Sequence, residues 1–452
     1  MTKPLKNLWG RFLFQGRGIL PTQKFLIVYL ILSIGLIIGT IWGIPWSVVI
    51  LLNGLVLIGS LMDLLFSARR SQLIINRTLP EEMERGLPYN VQITITNASG
   101  SPIRFRLVDE IPQSFKRPFS FHGSLLSDTT SVFQYETEAS VRGKYEVNKL
   151  HFRYKSVIGL WEKQATVEIA DTVKVIPDLT ETKQYLEGAQ QFLLYEGLRI
   201  RKQKSGAGEF TKIRNYVVGD DPRKINWRQT AKLREVMSNE YEPEHGKYIT
   251  LLIDCGRMMG AELTKGNRLE KALEAAITVA AAALKNGDYV SVLAFSKDVK
   301  VFVPPAKGME HLQTILHSIY NIQVDSNESN YAAILHYLQT VQKKRSLLLL
   351  FSDVCTFLHE EAALIYLKRL RRRHLFLMIG IEDVTLLARI KDEPITVQSA
   401  MVKSMAQQQM LIKKREKLKW EKQGLQMIET REEKLAAAAV THYIDIMNRG
   451  LL

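Results

Sequence analysis

Hydrophobic positions follow three successive patterns along this chain. Between residues 25 and 62 the run FLIVYLILSIGLIIGTIWGIPWSVVILLNGLVLIGSLM carries no charged side chain. It is too long for one bilayer crossing and about right for two, so it predicts helices over 25–42 and 46–66, joined by Gly43, Ile44 and Pro45. Trp42 and Trp46 would then mark one membrane interface. From 71 to 178 the period becomes two. Val91, Ile93 and Ile95 alternate with Gln92, Thr94 and Thr96, and Ile103, Phe105 and Leu107 with Arg104 and Arg106. Further strands are predicted at 72–78, 131–137, 144–154, 165–170 and 173–176, with turn signals at 97–102 and at Arg142-Gly143. That spacing suggests an all-β, immunoglobulin-like sandwich.

The third pattern alternates continuous apolar runs with helical periodicity. Strands are expected at 248–254, 289–295, 299–303, 347–351, 375–381 and 425–428. Helices are expected at 268–285, 309–319, 330–341, 359–371, 402–421 and 431–448. This predicts a doubly wound α/β domain over 248–452, with ligands bound beyond the carboxyl ends of its strands. Residues 179–247 resist assignment beyond a helix near 182–192 and read as an extension wrapped on its neighbours.

Charge adds orientation. The net charge of +15 over 452 residues makes acidic partners worth weighing, either the anionic leaflet or nucleic acid. The first 24 residues hold Lys3, Lys6, Arg11, Arg17 and Lys24 without an acid, and Arg69 and Arg70 follow the second apolar helix. Both flanks, and with them the large C-terminal part, are therefore expected on the cytoplasmic side. The sequon Asn97-Ala98-Ser99 then reads as a turn. Cys255 and Cys355, the two cysteines, form no CxxC pair or disulfide framework. The runs KRLRRRH (368–374) and KKREKLKWEK (413–422) suit a helix end and a solvated helix. No nucleic-acid partner is expected, because no recognised fold or stacking motif accompanies the charge.

Two strands end in acids at one sheet edge, Asp254 in LLIDCGRMM and Asp353 in LLLLFSDV. This half resembles a von Willebrand factor A domain, whose metal-ion-dependent adhesion site combines an Asp-x-Ser-x-Ser run, a distant Thr and a later Asp. The resemblance implies a degenerate site of Asp254, Ser329 and Asp353 that would take Mg2+ or Mn2+. Gly256 and Met258 stand where the serines would be. The other reading makes both aspartates loop or helix caps, with no cofactor.

A second cluster, IRNYVVGDDPRKINWRQTAK (213–232), gathers Gly219, Asp220, Asp221, Arg223, Asn226, Trp227 and Arg228. Arg223 and Arg228 could pair with Asp220 or Asp221, giving an internal lock with Trp227 as apolar anchor, or the segment could be a docking surface. It resembles the GDDxRxINWRxTAR signature of the bacterial family catalogued as domain of unknown function 58, and VRGKY (141–145), VIGLWEK (157–163) and VKVIPDL (173–179) resemble its sandwich signatures. Membership implies the same order of parts: a basic N-terminus (1–24), two membrane helices (25–66), a β-sandwich (71–178), an extension (179–247) and an A-like domain (248–452). It also implies a multi-pass bacterial inner-membrane protein and a MoxR-type AAA ATPase as partner in protein maturation or remodelling. No Walker A motif, activated nucleophile or histidine base accompanies the signature. The expectation is a membrane-anchored, non-enzymatic interaction protein. The alternatives are a metal-dependent enzyme and a purely structural envelope component.

Overall fold

The computed structural model of the protein describes residues 18–117, 120–195, 209–242 and 246–452. The chain divides into two compact units, residues 1–176 and 177–452.

The first unit opens with helices Gln23–Ile41 and Trp46–Phe66, within a residue or two of the expected bounds. The hydroxyl of Thr22 caps the first by accepting from Phe25 N, and Gly43 takes φ +95° in the connection, a conformation that suits glycine. Ser33 donates to Asn53 Oδ1 at 2.7 Å across the pair, a hydroxyl-amide link common between membrane helices. Only 6% and 17% of their most apolar stretches are buried. A core helix would be covered, so the uncovered apolar surface points to membrane association.

Two sheets follow and close on one core. One runs Ile19–Pro21, Trp161–Ile176, Gly143–Lys155, Ile103–Asp109, Phe121–Leu125, with Glu82–Glu84 parallel to Trp161–Ile176; the other runs Leu73–Thr78, Pro88–Asn97, Thr129–Glu138. Period two carries into burial: Ile103, Phe105 and Leu107 of the first sheet meet Ile75, Ile93 and Ile95 of the second. The expected strands 165–170 and 173–176 are one continuous strand, Trp161–Ile176, because its pairing with Gly143–Lys155 absorbs the polar interruption in a register shift. Ile19–Pro21, Glu82–Glu84 and Phe121–Leu125 had no alternation to announce them. Asn97 is buried, its amide donating to Ser101 O and Leu126 O at 3.0 and 2.8 Å, which makes the sequon a turn built from side-chain hydrogen bonds.

The segment VIGLWEK has a physical task at the foot of the second helix. Asp63 accepts from Ser156 Oγ and from the backbone N–H groups of Leu160 (2.8 Å) and Trp161 (3.3 Å). Lys163 Nζ donates to the carbonyls of Leu64, Ser67 and Ala68, where a helix end leaves acceptors unpaired and favours a cation. Trp161 packs at a tilt against Phe25, ring centroids 5.3 Å apart, and donates from Nε1 to Ser60 at 3.2 Å. The apolar hairpin is thus bonded to the sheet that follows it.

The second unit is an α/β domain. Its sheet runs Val299–Ala306, Tyr289–Phe295, Tyr248–Asp254, Ser346–Phe351, Leu375–Ile381, Gln426–Thr430, parallel except at the Val299–Ala306 edge. The four inner strands are apolar on both faces because helices cover both. Helix Arg268–Lys285 is buried over most of its length and is rich in alanine, which lets it approach the sheet closely. One expectation is corrected. The helix placed at 359–371 is Val354–Leu358 followed by Glu361–Leu370, since Asp353 starts a turn of helix earlier by capping it. Within the extension, Glu209–Asn215 pairs antiparallel with Met237–Glu242 around the short helix Trp227–Leu233. Most of the glycine-rich stretch RIRKQKSGAGEF lies outside the described residues.

Candidate functional site

Pairing of Tyr248–Asp254 with Ser346–Phe351 places Ile253 opposite Phe351, so Asp254 and Ser352 leave the sheet side by side. Asp254 is 2% exposed and its carboxylate is fully engaged. Oδ1 accepts from Ser329 Oγ and from Gly256 N at 2.8 Å; Oδ2 accepts from Tyr331 OH at 2.7 Å and Ser352 Oγ at 2.5 Å. Burial, then the charge of Asp254, holds the Tyr331 hydroxyl well above its usual range, so it stays a donor. Asp353 accepts from Arg268 Nη1 at 2.5 Å and caps Val354–Leu358 through Thr356 N (2.9 Å) and Thr356 Oγ1 (2.8 Å). The Arg268–Asp353 side chains are 11% and 7% exposed.

The structure therefore brings Asp254 and Ser329 into contact and commits Asp353 to a guanidinium and a helix start. A Cβ at position 256 would collide with Ser329 Oγ and come within 3.2 Å of Asp254 Oδ1. Glycine here makes room for the Ser329–Asp254 bond, in the place where the adhesion-type site would carry its first serine. Beside Arg268, Ser352 and Gly380 the free space is about 10 Å³, room for about one water. No cluster of three His, Cys, Asp or Glu suited to a metal occurs among the described residues. Sequence reasoning missed Arg268, Tyr331 and Ser352. Tyr331 and Ser352 were readable as hydroxyls flanking Ser329 and Asp353, whereas Arg268 gave no signal.

The signature forms a second site. Gly219 takes φ +108°, turning the chain so that Asp220 reaches back to Arg214, which holds it with two hydrogen bonds of 2.8 and 2.9 Å; Val217 N adds a third at 3.0 Å. Asp221 caps Pro222–Lys224 by accepting from Arg223 N at 3.0 Å. Asn226 caps Trp227–Leu233 by accepting from Gln229 N at 3.1 Å and donates to Asn239 at 2.9 Å, while Thr230 accepts from Met237 N at 3.0 Å. The expected pairing of Arg223 or Arg228 with Asp220 or Asp221 is corrected: Arg214 takes Asp220 from the adjoining strand, and both signature arginines are exposed with no ion-pair partner among the described residues. The expected burial of Trp227 is corrected too, because the short helix turns it outward to 70% exposure. Val217 and Val218 of the same turn are 60% and 97% exposed.

Residues 212–389 match the family described as "Protein of unknown function DUF58". The chain carries a DUF58 domain. That domain contains both the signature hairpin and the Asp254, Ser329 and Asp353 cluster. A relative, "Uncharacterized protein YeaD" of Bacillus subtilis (strain 168), is 25% identical over 204 residues, 44% of this chain and 48% of that protein. The match thus spans about half of the relative's length. Among solved structures, the "conserved hypothetical protein BatB" of Bacteroides thetaiotaomicron is 12% identical, with 45% of this chain and 100% of that one covered at a TM-score of 0.30. The PapD-like domain 7 of human CEP192 is 13% identical, with 23% and 85% covered at a TM-score of 0.18.

Proposed function

We propose that this DUF58 protein is a membrane-anchored, non-enzymatic docking protein, in which the helix Trp227–Leu233 and the turn before it form the contact surface for a protein partner. The observation that carries this reading is an exposed tryptophan flanked by arginines 223 and 228, which have no ion-pair partner among the described residues, on a hairpin whose own acids and caps are already satisfied. Trp and Arg are the residues that most often dominate binding energy at interfaces. A surface pinned in advance loses little entropy when bound. The partner of choice is a MoxR-type AAA ATPase, as the family resemblance implies. In the proposed arrangement an immunoglobulin-like sandwich is followed by a von Willebrand factor A-like domain, with the C-terminal unit on the cytoplasmic side of a bacterial inner membrane.

Trp227→Ala is expected to melt within about 1 °C of wild type, because an exposed side chain contributes little to stability. Affinity purification from detergent-solubilised membranes should retain the ATPase with wild type and lose it with the variant. The same proteins retained by both would sink this surface.

For the cluster at the strand ends, the proposal is a structural role without a metal. Asp254 already has four hydrogen-bond donors and Asp353 has Arg268, so a divalent cation would have to break those bonds to find ligands. Titration of the chelator-treated protein with Mg2+ or Mn2+ is expected to release no heat beyond dilution. Saturable heat that disappears in Asp254→Ala would restore the metal-dependent alternative.

A further inference from the structure

The two ends of the apolar hairpin enclose a cleft that the docking reading does not use. It has a volume of about 970 Å³ and is formed by Gly18 and Ile19, which lead into the first helix, by Arg69, Arg70 and Ser71, which follow the second, and by the Lys163 to Thr166 stretch of the sheet. Its lining carries three cations and no acid. We propose that this cleft binds the phosphate-bearing headgroup of an anionic phospholipid, with the acyl chains lying along the helices.

Position, charge and unfinished bonding support this together. The cleft begins three residues beyond Phe66, where the second membrane-type helix ends, so it lies at the level at which headgroups meet such a helix. Volumes of this order accommodate small-molecule ligands. Arg69 and Arg70 are exposed, and neither has an ion-pair partner among the described residues. Arg70 gives one N–H to Leu73 O at 2.9 Å, which directs the guanidinium without neutralising it. Lys163 spends its ammonium on the three helix-end carbonyls, so its charge is held in place, and among the described residues only the more distant Asp63 attracts it. Burial, and next the neighbouring charge of Arg69, push the Lys163 pKa below the usual lysine range. A bound phosphate would relieve that repulsion, and Arg guanidinium is the group best shaped to grip it. Lipid is favoured over free phosphate because the site opens where acyl chains run, and interfacial cations gain strength from the anionic surface.

Native mass spectrometry of the full-length protein released from detergent supplies the test, with dioleoyl phosphatidylglycerol, dioleoyl phosphatidylcholine and glycerol 3-phosphate as probes. Wild type should retain phosphatidylglycerol at least tenfold more than phosphatidylcholine, and glycerol 3-phosphate should not compete at equal concentration. The exposed double variant Arg69→Gln/Arg70→Gln should retain phosphatidylglycerol about thirtyfold less, the effect of two interfacial cations, while Lys174→Gln on the sheet should match wild type. Equal retention of the two lipids by wild type would overturn the proposal without recourse to any variant. Undiminished binding in the double variant, or full competition by glycerol 3-phosphate, would overturn it as well.

Discussion

Asp254→Ala is expected to lower the stability of the α/β unit by about 3 kcal/mol, because it strands the hydroxyl of Ser329 and the N–H of Gly256 and leaves the Tyr331 and Ser352 hydroxyls, which both donate to the carboxylate, with only each other as partners. For a unit of this size that corresponds to a melting shift of roughly 5 °C. Asp254→Asn, which keeps the shape and one acceptor oxygen, should lose less than half as much. Differential scanning calorimetry in excess chelator checks this. The sign matters more than the size. If the carboxylate were held in wait for a cation, its removal would relieve a buried charge, and the chelated protein would become more stable, not less.

A second large effect is expected in the first unit. Arg77 has no exposed side-chain surface; it pairs with Asp109 at 2.6 Å and Asp171 at 2.8 Å, and donates to the carbonyls of Val147 and Ile169. Tyr135 completes the network by donating to Asp109 at 2.7 Å, its own ionisation suppressed by burial and by the Asp109 charge. Arg77→Ala leaves Asp109 buried without a cation and should cost about 3–5 kcal/mol. Urea denaturation of the purified protein, followed by proteolysis of residues 18–176, should show this unit opening first. The triple change Arg77→Met/Asp109→Leu/Tyr135→Phe, which removes the buried ion pair and its tyrosine and leaves only the partly exposed Asp171, should recover much of the loss. Failure of Arg77→Ala to move the midpoint would mean that the network is not a folding element.

Regular periodicity made the architecture legible from the sequence. The uncharged run, the strands of alternating polarity and the apolar strands at 248–254, 289–295 and 375–381 lie where the pattern put them, because in each case burial follows a repeat. The irregular strands did not show. Ile19–Pro21 and Glu82–Glu84 are too short to carry a period, and they form only because Trp161–Ile176 offers them an edge. The helix Trp227–Leu233 was hidden by its polar sequence, since its stability comes from the Asn226 cap and the contacts of Thr230, not from an apolar face.

The candidate sites were half legible for a related reason. Asp254 and Asp353 could be assigned to one sheet edge from strand endings alone. What answers their charge is set by tertiary packing: Arg268 arrives from a helix 85 residues earlier than Asp353. Asp63 shows the opposite failure. It is the first charged residue after 38 uncharged ones, a visible anomaly, yet its purpose lies in Ser156 and the Leu160 and Trp161 amides around it. In the signature, the density of opposite charges suggested pairing among neighbours. Backbone geometry decided otherwise, with Gly219 delivering Asp220 to Arg214 and leaving Arg223, Arg228 and Trp227 turned outward.

We propose that this outward face of the DUF58 domain meets another protein at the membrane. A photo-crosslinking amino acid placed at position 227 and irradiated in intact cells tests it most directly. The account predicts a crosslink to an AAA ATPase that vanishes when Arg223 and Arg228 are both replaced by glutamate. Adducts confined to lipid or to the chain itself would contradict it.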